Sequence, residues 1–216
     1  MGYHFMKQHN YQKELEHIIS CHQSRGEIPT VLLHSCCAPC SSYVLEYLSQ
    51  YFQITVLYYN PNIYPPEEYV HRVKEQQRFI KQFPMVHPAD FIEGRYDTER
   101  FYEMAKGMET LPEGGERCFS CYKLRLREAA EYARQLGLDY FTTTLSISPM
   151  KNAEKLNEIG QQLAEEYGVA YLCSDFKKKN GYLRSTQISK EYGMYRQDYC
   201  GCIFSLKERK RESEGK

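Results

Sequence analysis

The sequence predicts an α/β protein in which helices cover an open, doubly wound parallel sheet of about five strands. Two observations favour this fold class. Short apolar runs rich in β-branched and aromatic residues alternate along the chain with longer segments whose apolar side chains recur at helical spacing. The chain has 216 residues, of which 42% are hydrophobic, and this is enough for one core and hence for a single domain.

The predicted strands are apolar runs that end at turn-forming residues. The second run, Gln-Ile-Thr-Val-Leu-Tyr-Tyr, has the strongest β pattern, and Asn60-Pro61-Asn62 ends it because proline cannot continue a strand. The third run has a weaker pattern than the others. In chain order, the five predicted strands span residues 31–35, 53–59, 85–91, 140–145 and 169–173.

Helices are predicted between these strands from apolar spacing and from signals at their ends. Pro66 suits the first turn of one helix, Asp97 or Thr98 would cap a short one, and Gly137 and Gly168 would end two others. The predicted helices span residues 39–49, 66–82, 97–104, 119–136 and 152–167. From residue 174 onward, the chain is predicted to be helical and polar.

Charge and hydropathy exclude several classes of protein. Lys and Arg total 28 and Asp and Glu total 28, so bulk charge alone would not hold the chain on nucleic acid. No run approaches the roughly 18 apolar residues of a membrane span, and the first residues lack the apolar run of a signal peptide. We expect a cytoplasmic protein without membrane contact. Its expected parts are an N-terminal helical extension over 1–28, a folded domain over 29–206 and a charged tail over 207–216.

The nine cysteines are the most informative feature of the composition. Seven of them form three tight clusters at residues 36–40, 118–121 and 200–202, whereas Cys21 and Cys173 stand alone. Nine in 216 is well below the ~8–10% typical of disulfide scaffolds, and the count is odd. The clusters therefore indicate metal binding or thiol chemistry, and we expect the two isolated cysteines to be buried or half-buried small side chains.

The first two clusters each lie at the start of a predicted helix. Free N–H groups and the positive end of the helix dipole favour thiolates there, and a thiolate is the form that binds metal or attacks. Cys118 and Cys121 are one helical turn apart and can point the same way. Together with Cys36 or Cys37 they would supply the thiolates of an iron–sulfur cluster or a zinc site.

The third cluster, Cys200-Gly201-Cys202, has a spacing that strains a disulfide. With one residue between them, two cysteines either point apart or lie near the ~7 Å limit between Cα atoms, and a strained disulfide is easily reduced. Gly201 permits the backbone angles that such a bond requires. The cluster therefore predicts a redox role.

Two other interpretations of these residues stay open at this point. Structural zinc would make the chain a zinc-stabilised RNA-binding module. Alternatively, Cys37-Ala38-Pro39-Cys40 has the C-x-P-C pattern of a thioredoxin-type pair, which predicts a thiol–disulfide oxidoreductase but leaves Cys118 and Cys121 unexplained. The loop after the first strand contains no glycine to cradle a phosphate, and this argues against ATP chemistry.

Six motifs, in order along the chain, resemble those of the cobalamin-independent epoxyqueuosine reductases of the QueH type. They are HSCCAPC at 34–40, YNPNI at 59–63, EYVHR at 68–72, RCFSCYKLR at 117–125, TTTLSISPMK at 142–151 and YRQDYCGC at 195–202. The resemblance runs from about residue 29 to residue 206. It implies a HUP-like α/β fold and a 4Fe-4S cluster. The implied reaction is reduction of the epoxide of epoxyqueuosine in a tRNA anticodon wobble nucleoside, the last step of queuosine synthesis.

The resemblance also implies roles for individual cysteines. By motif, the implied cluster ligands are Cys36, Cys37, Cys118 and Cys121. Cys200 and Cys202 are the implied redox-active pair. A second, single metal ion beside the cluster, iron or zinc, is associated with the family. Cys40 lies where some members carry Asp and is a candidate ligand for that ion, which could also share one of the cluster thiols.

We expect a tRNA partner and an electron donor whose identity the sequence does not give. The basic run 177–179 together with Arg184 is a predicted phosphate contact. Further candidate substrate-binding residues within the matched motifs are Asn60, Tyr69, Arg72 and Lys151. Candidates for the acid that protonates the leaving oxygen are Tyr59, His71, Asp198 and Tyr199.

Overall fold

The computed structural model describes residues 9–214, and within them it contains a five-stranded parallel sheet. The strands are β1 (Thr30–His34), β2 (Gln53–Tyr58), β3 (Asp90–Glu93), β4 (Tyr140–Thr143) and β5 (Ala170–Tyr171). Their order across the sheet is β3-β2-β1-β4-β5. The direction of winding changes between β1 and β4, so a cleft opens at the carboxyl ends of these two strands.

The central strands are buried on both faces. In β1, Leu32 and Leu33 point to opposite faces of the sheet, and both are fully buried. β1 pairs with β2 from Thr30 opposite Gln53 onward, and with β4 on its other edge. Near-continuous apolar runs are typical of parallel strands covered by helices on both sides.

Eight helices surround the sheet within the described part of the chain. They are α1 (Tyr11–Ser24), α2 (Ala38–Leu48), α3 (Pro66–Gln82), α4 (Thr98–Ala105), α5 (Glu116–Gln135), α6 (Ala153–Tyr167), α7 (Gly181–Glu191) and α8 (Ile203–Glu214). Side chains of α1, α2, α3 and α7 form the core with one face of the sheet, and those of α5 and α6 form it with the other. The predicted doubly wound α/β sheet is therefore confirmed.

Local signals explain where several helices begin and end. Asn152 Oδ1 accepts the Lys155 backbone N–H at 3.0 Å, so it caps α6. Gly168 ends the same helix with a φ of 69°, a conformation that favours glycine. Between residues 9 and 214, each helix is too short or too polar to cross a bilayer.

The structure corrects some predicted boundaries. The third strand is Asp90–Glu93 rather than 85–91, because Pro84 and Pro88 bracket a loop and proline has no N–H for a strand ladder. The fourth strand stops at Thr143, where the chain turns into a short 3₁₀ helix over Thr144–Ile147. The fifth is only Ala170–Tyr171, and α5 starts at Glu116, three residues before the predicted start.

The predicted N-terminal extension and C-terminal tail are each described only in part. Within the predicted extension 1–28, α1 contributes Leu15 and Ile19 to the core of the sheet. Residues 1–8 of that extension, and residues 215–216 of the predicted tail 207–216, lie outside the described residues. The division into extension, domain and tail stays a prediction.

Candidate active site

The first cysteine cluster lies directly after β1 and opens α2. The thiols of Cys36, Cys37 and Cys40 lie within 4.8 Å of one another, with 3.9 Å between Cys36 Sγ and Cys37 Sγ. Tetrahedral zinc with bonds of about 2.3 Å to sulfur needs sulfurs a little under 4 Å apart. This compact trio therefore has the spacing of ligands to a single metal ion.

Buried hydrogen bonds fix the position of this loop. The Ser35 hydroxyl donates to Gln76 Oε1 at 2.8 Å, and Gln76 Nε2 donates to the Ser41 hydroxyl at 2.9 Å. Gln76 lies on α3 and is fully buried. The Cys36 backbone N–H donates to Thr144 Oγ1 at 3.3 Å. The loop is thereby fastened to α3 on one side and to the end of β4 on the other.

The three thiols differ in their acidity. Hydrogen bonds from the Cys36 and Cys40 thiols hold the pKa of Cys37 well below its usual range. The same contacts raise the pKa of Cys40 well above that range. Cys37, the residue that precedes α2, is therefore the preferred thiolate of the trio.

The second cluster lies in the first turns of α5. Cys118 is buried, and its Sγ accepts the Gly114 backbone N–H at 3.2 Å. Burial raises the pKa of Cys121 to about 11, against the opposing influence of the Arg125 guanidinium. Arg117 Nη1 donates to the carbonyls of Met108 and Glu109, each at 3.0 Å, and so shapes the loop before the helix.

The third cluster lies just before α8, and its two sulfurs have different partners. Lys151 Nζ donates to Cys200 Sγ at 3.0 Å, whereas Cys202 Sγ accepts the Ser205 backbone N–H at 3.4 Å. Gly201 between them has a φ of 115°, so the backbone adopts the conformation that the sequence predicted for it. Both thiols are free, as are the other seven cysteines.

Two adjoining cavities bring the three clusters together. The larger, of about 190 Å³, is lined by Cys36, Cys37, Cys40 and Cys200. The smaller, of about 20 Å³, is lined by Cys118, Cys121, Cys200 and Cys202. Arg125 and Lys151 line both cavities, and so does Cys200. Seven thiols from three distant segments therefore surround one region at the carboxyl ends of the strands.

Buried cations lie among these thiols. Arg125 and Arg72 are each 2% exposed and Lys151 is 9% exposed. Arg125 donates to Asn60 Oδ1 at 2.5 Å and to His34 Nε2 at 3.3 Å, and among the described residues Arg72 Nη2 has no hydrogen-bond partner. Buried positive charge is costly unless negative charge lies nearby. Arg72 and Lys151 pair with Glu68 and Glu113, whereas Arg125 has no carboxylate partner among the described residues. Seven thiols beside such cations are a donor set that fits an anionic iron–sulfur cluster or thiolate-bound metal.

A family model described as epoxyqueuosine reductase QueH matches residues 31–208, a range that includes all three cysteine clusters. The chain belongs to the QueH family. The QueH relative from Staphylococcus epidermidis is 46% identical over 91% of this chain and 84% of its own. The relative from Streptococcus pyogenes serotype M1 is 41% identical over 92% of this chain and 78% of its own.

A solved structure shares the fold at low sequence identity. The U34-tRNA thiolase NcsA from Methanococcus maripaludis, with its [4Fe-4S] cluster, has a TM-score of 0.52 and 12% identity. The match covers 89% of this chain and 67% of that one. At this identity the likeness establishes the fold alone, and it agrees with the α/β class predicted from the sequence.

The predicted substrate residues of this QueH chain fall into two groups. Arg72 and Lys151 line the larger cavity. Asn60 and Tyr69 are buried behind it: Asn60 Nδ2 donates to the Ser35 carbonyl at 2.8 Å, and Tyr69 stacks on the Tyr96 ring with 4.0 Å between ring centroids. Internal hydrogen bonds and packing hold these two residues in the QueH fold, and substrate binding by them stays a prediction.

The predicted basic patch has acidic partners. Arg184 binds both carboxylate oxygens of Glu46 and one of Glu191, and it does not line either cavity. Lys177 pairs with Asp175 at 2.8 Å, and Lys179 pairs with Glu16. Phosphate binding by these residues stays a prediction, with their charge already partly balanced.

Some residues that line or support the QueH site are not among those predicted from the sequence. Gln197 lines the larger cavity, and its Oε1 has no partner among the described residues. Glu113 accepts hydrogen bonds from Lys151 Nζ at 3.2 Å and from the Ser205 hydroxyl at 2.8 Å. Gln197 lies within the motif at 195–202 but received no predicted role, and no local pattern marks Glu113 because its partners are 38 and 92 residues away along the chain.

Proposed function

We propose that this protein reduces the epoxide of epoxyqueuosine, in the wobble position of a tRNA anticodon, to the cyclopentene of queuosine. The observation that carries the proposal is the convergence of seven thiols on two adjoining cavities. Membership of the QueH family supports the same reaction, since the chain matches 84% of a curated relative with that name. We place the reaction in the cytoplasm, with tRNA as the partner.

Conversion of an epoxide to an alkene consumes two electrons and two protons and releases the oxygen as water. Oxidation of the Cys200 and Cys202 dithiol to a disulfide releases two electrons and two protons, so one cycle of this pair balances one reduction. An external electron donor then restores the dithiol. The strained one-residue spacing favours this role because such a disulfide is easily reduced.

An iron–sulfur cluster is the cofactor that we assign to the remaining thiols. Cys36, Cys37, Cys118 and Cys121 would hold a 4Fe-4S cluster, and Cys40 would be a ligand to a single iron or zinc ion beside it. When bound, the cluster supplies one-electron transfer between the dithiol and the substrate. Arg125 supports the assignment, since it is the buried cation that influences the pKa of both Cys36 and Cys121.

The larger cavity is the proposed place of the substrate's epoxide ring. Arg72 Nη2 has no hydrogen-bond partner among the described residues, so it can donate to an oxygen of the substrate. Gln197 Oε1 also has no partner there and can accept a hydrogen bond. Of the four candidate acids, Asp198 and Tyr199 line the cavity. Burial raises the pKa of Tyr199 to about 12, and its hydroxyl donates to the Tyr64 carbonyl at 2.6 Å, which favours Asp198.

The mouth of this cavity is suited to RNA. Arg196 and Arg209 line the cavity and are exposed, so they are available to phosphates. Tyr182 also lines it and is 42% exposed, and an exposed aromatic ring is a platform on which a splayed base stacks. These residues extend the predicted contacts beyond the run 177–179.

The test is turnover on tRNA that contains epoxyqueuosine, read by mass spectrometry of the digested nucleosides, with iron and sulfide measured on the same anaerobic preparation. We expect queuosine to form and Cys118→Ser to lose both iron and turnover. Cys21→Ser is the matched control, because Cys21 lies on α1, away from both cavities. Undiminished turnover of Cys118→Ser would refute the cluster assignment, and no queuosine from the wild type would refute the reaction.

A further inference from the structure

The surroundings of the Cys200 and Cys202 pair are unequal in charge. Cys200 Sγ lies 3.0 Å from the Lys151 ammonium, while the hydrogen-bond partner of Cys202 Sγ among residues 9–214 is the Ser205 backbone N–H at 3.4 Å. Cys202 is 8% exposed, and burial raises its pKa to about 12. Cys200 is half-buried and lines both cavities.

A hydrogen-bonded network holds Lys151 in this position. Its ammonium also donates to Glu113 Oε1 at 3.2 Å, and the other oxygen of that carboxylate accepts the Ser205 hydroxyl at 2.8 Å. The Ser205 hydroxyl in turn accepts the Cys200 backbone N–H at 3.1 Å. The network therefore begins and ends on Cys200, once at its sulfur and once at its backbone.

We propose that Lys151 is a positioning residue that makes Cys200 the reactive sulfur of the reduced pair and leaves Cys202 as its resolving partner. The proposal deepens the redox role given above and rests on it only for the pair's place in the reaction. The two cavities that Cys200 lines are also lined by further charged or titratable side chains, namely Cys36, Cys37, Cys40, Arg72, Glu113, Arg117, Cys118, Cys121, Tyr122, Arg125, Tyr182, Arg196, Asp198, Tyr199, Cys202 and Arg209. Lys151 hydrogen-bonds Cys200 Sγ, and within the described residues none of these other cations does.

The step that follows is balanced. Oxidation joins the Cys200 sulfur to the Cys202 sulfur and releases two electrons and two protons, which together convert the epoxide to the alkene and water. A disulfide sulfur is a weaker hydrogen-bond partner for the Lys151 ammonium than the reduced Cys200 sulfur, while the ion pair of Lys151 with Glu113 remains. Lys151 therefore stabilises the reduced pair relative to the disulfide, and its removal favours the disulfide.

The test is site-resolved alkylation of the anaerobically reduced holoenzyme. Brief exposure to iodoacetamide between pH 6 and 9, followed by peptide mass spectrometry, gives separate rates for Cys200 and Cys202. In the wild type we expect Cys200 to react at least tenfold faster than Cys202 at pH 7. Equal rates, or faster reaction of Cys202, would overturn the proposal without any variant.

Variants then test the lysine itself. Lys151→Met should slow alkylation of Cys200 at pH 7 at least tenfold, and Lys151→Arg should restore most of the rate. Lys123→Met is the matched control, because Lys123 is exposed on α5 and should leave the rate unchanged. A wild-type rate in Lys151→Met would overturn the proposal.

A redox titration gives a second readout that a merely structural lysine would not move. In buffers of defined thiol and disulfide ratio, Lys151→Met should shift the equilibrium at least tenfold toward the disulfide, or about 30 mV for two electrons. Selective alkylation of Cys200 in a protein that does not turn over epoxyqueuosine would support the lysine's role and refute the reductase. Turnover of epoxyqueuosine together with equal alkylation rates of Cys200 and Cys202 would support the reductase and refute the lysine's role.

Discussion

Gln76 is the residue through which α3 fixes the first cysteine loop, and Gln76→Leu is the most direct test of that attachment. The variant removes the acceptor of the Ser35 hydroxyl and both hydrogen bonds with the Ser41 hydroxyl. Ser35, Ser41 and Gln76 are all fully buried, so water cannot replace the lost bonds. Ser41 keeps one partner, the Ala38 carbonyl at 3.0 Å.

The magnitude follows from this difference between the two serines. A buried hydroxyl left without a partner costs about 1–3 kcal/mol, and loss of a further bond where another remains costs about 0.5–1.5 kcal/mol. We therefore expect Gln76→Leu to lower the free energy of unfolding by about 2–4 kcal/mol. At about 2–4 °C per kcal/mol for a chain of this size, the melting temperature should fall by roughly 4–16 °C.

The assay is urea unfolding at pH 7, followed by circular dichroism, on reduced protein treated with a chelator so that bound metal does not add to stability. Gln77→Leu is the matched control, because Gln77 is the next residue of the same helix and is exposed. Its change should stay within about 0.5 kcal/mol. If Gln76→Leu were as stable as Gln77→Leu, the reasoning about the loop would be refuted.

Three further predictions concern packing, pH and the redox loop. A Cβ at Gly160 would lie 2.4 Å from ring carbons of Tyr171, so Gly160→Ala should cost about 1–3 kcal/mol in a thermal melt; an unchanged melting temperature would contradict the packing of α6 on β5. Bonds from the Thr30 N–H and hydroxyl lower the pKa of Asp139 below its ordinary 3.8, so its stabilisation is present at neutral pH and is lost as pH falls below about 4. Since Asp139 is exposed, Asp139→Asn should cost about 0.5–1 kcal/mol at pH 7 in urea unfolding and progressively less as pH falls below about 4, and a cost that does not change with pH would refute the link. Gly201→Ala should strain a backbone with φ of 115° by about 1–3 kcal/mol and lower kcat at least fivefold, whereas a wild-type kcat would show that the pair tolerates another loop shape.

The fold could be predicted because its main elements carry their own periodicity. The buried strand at Gln53–Tyr58 and the helix at Pro66–Gln82 agree closely with the apolar patterns that predicted them. The third strand was misplaced by five residues at its start, because apolar residues between Pro84 and Pro88 resemble a strand in composition but lack the N–H groups to pair. Pairing is a property of two segments, and the pattern of one does not determine it.

The same limit applies to the candidate site. Clustered cysteines are visible in any reading of the chain, and their convergence follows from the strand ends that they share. The carboxylate partners of Arg184 cannot be identified from the sequence, since Glu46 lies on α2, far away in the chain, and Glu191 lies about two turns further along α7. Nor can the link between Lys151 and Cys200, which are 49 residues apart, be identified. The sequence therefore identifies the reactive cysteines but not the charged side chains that lie beside the site residues in the fold.

The separation of the three cysteine clusters along the chain has a consequence for the order of folding. His34 of β1 bonds to Thr143 of β4 across 109 residues, and the last cluster follows almost sixty residues after that pairing. Contacts of such long range form slowly and only after much of the chain has been ordered. The thiol centre is thus a late product of folding. We therefore expect that the proposed metal cofactor would be inserted only once the chain is nearly complete, and that the loaded protein would gain stability at that final step.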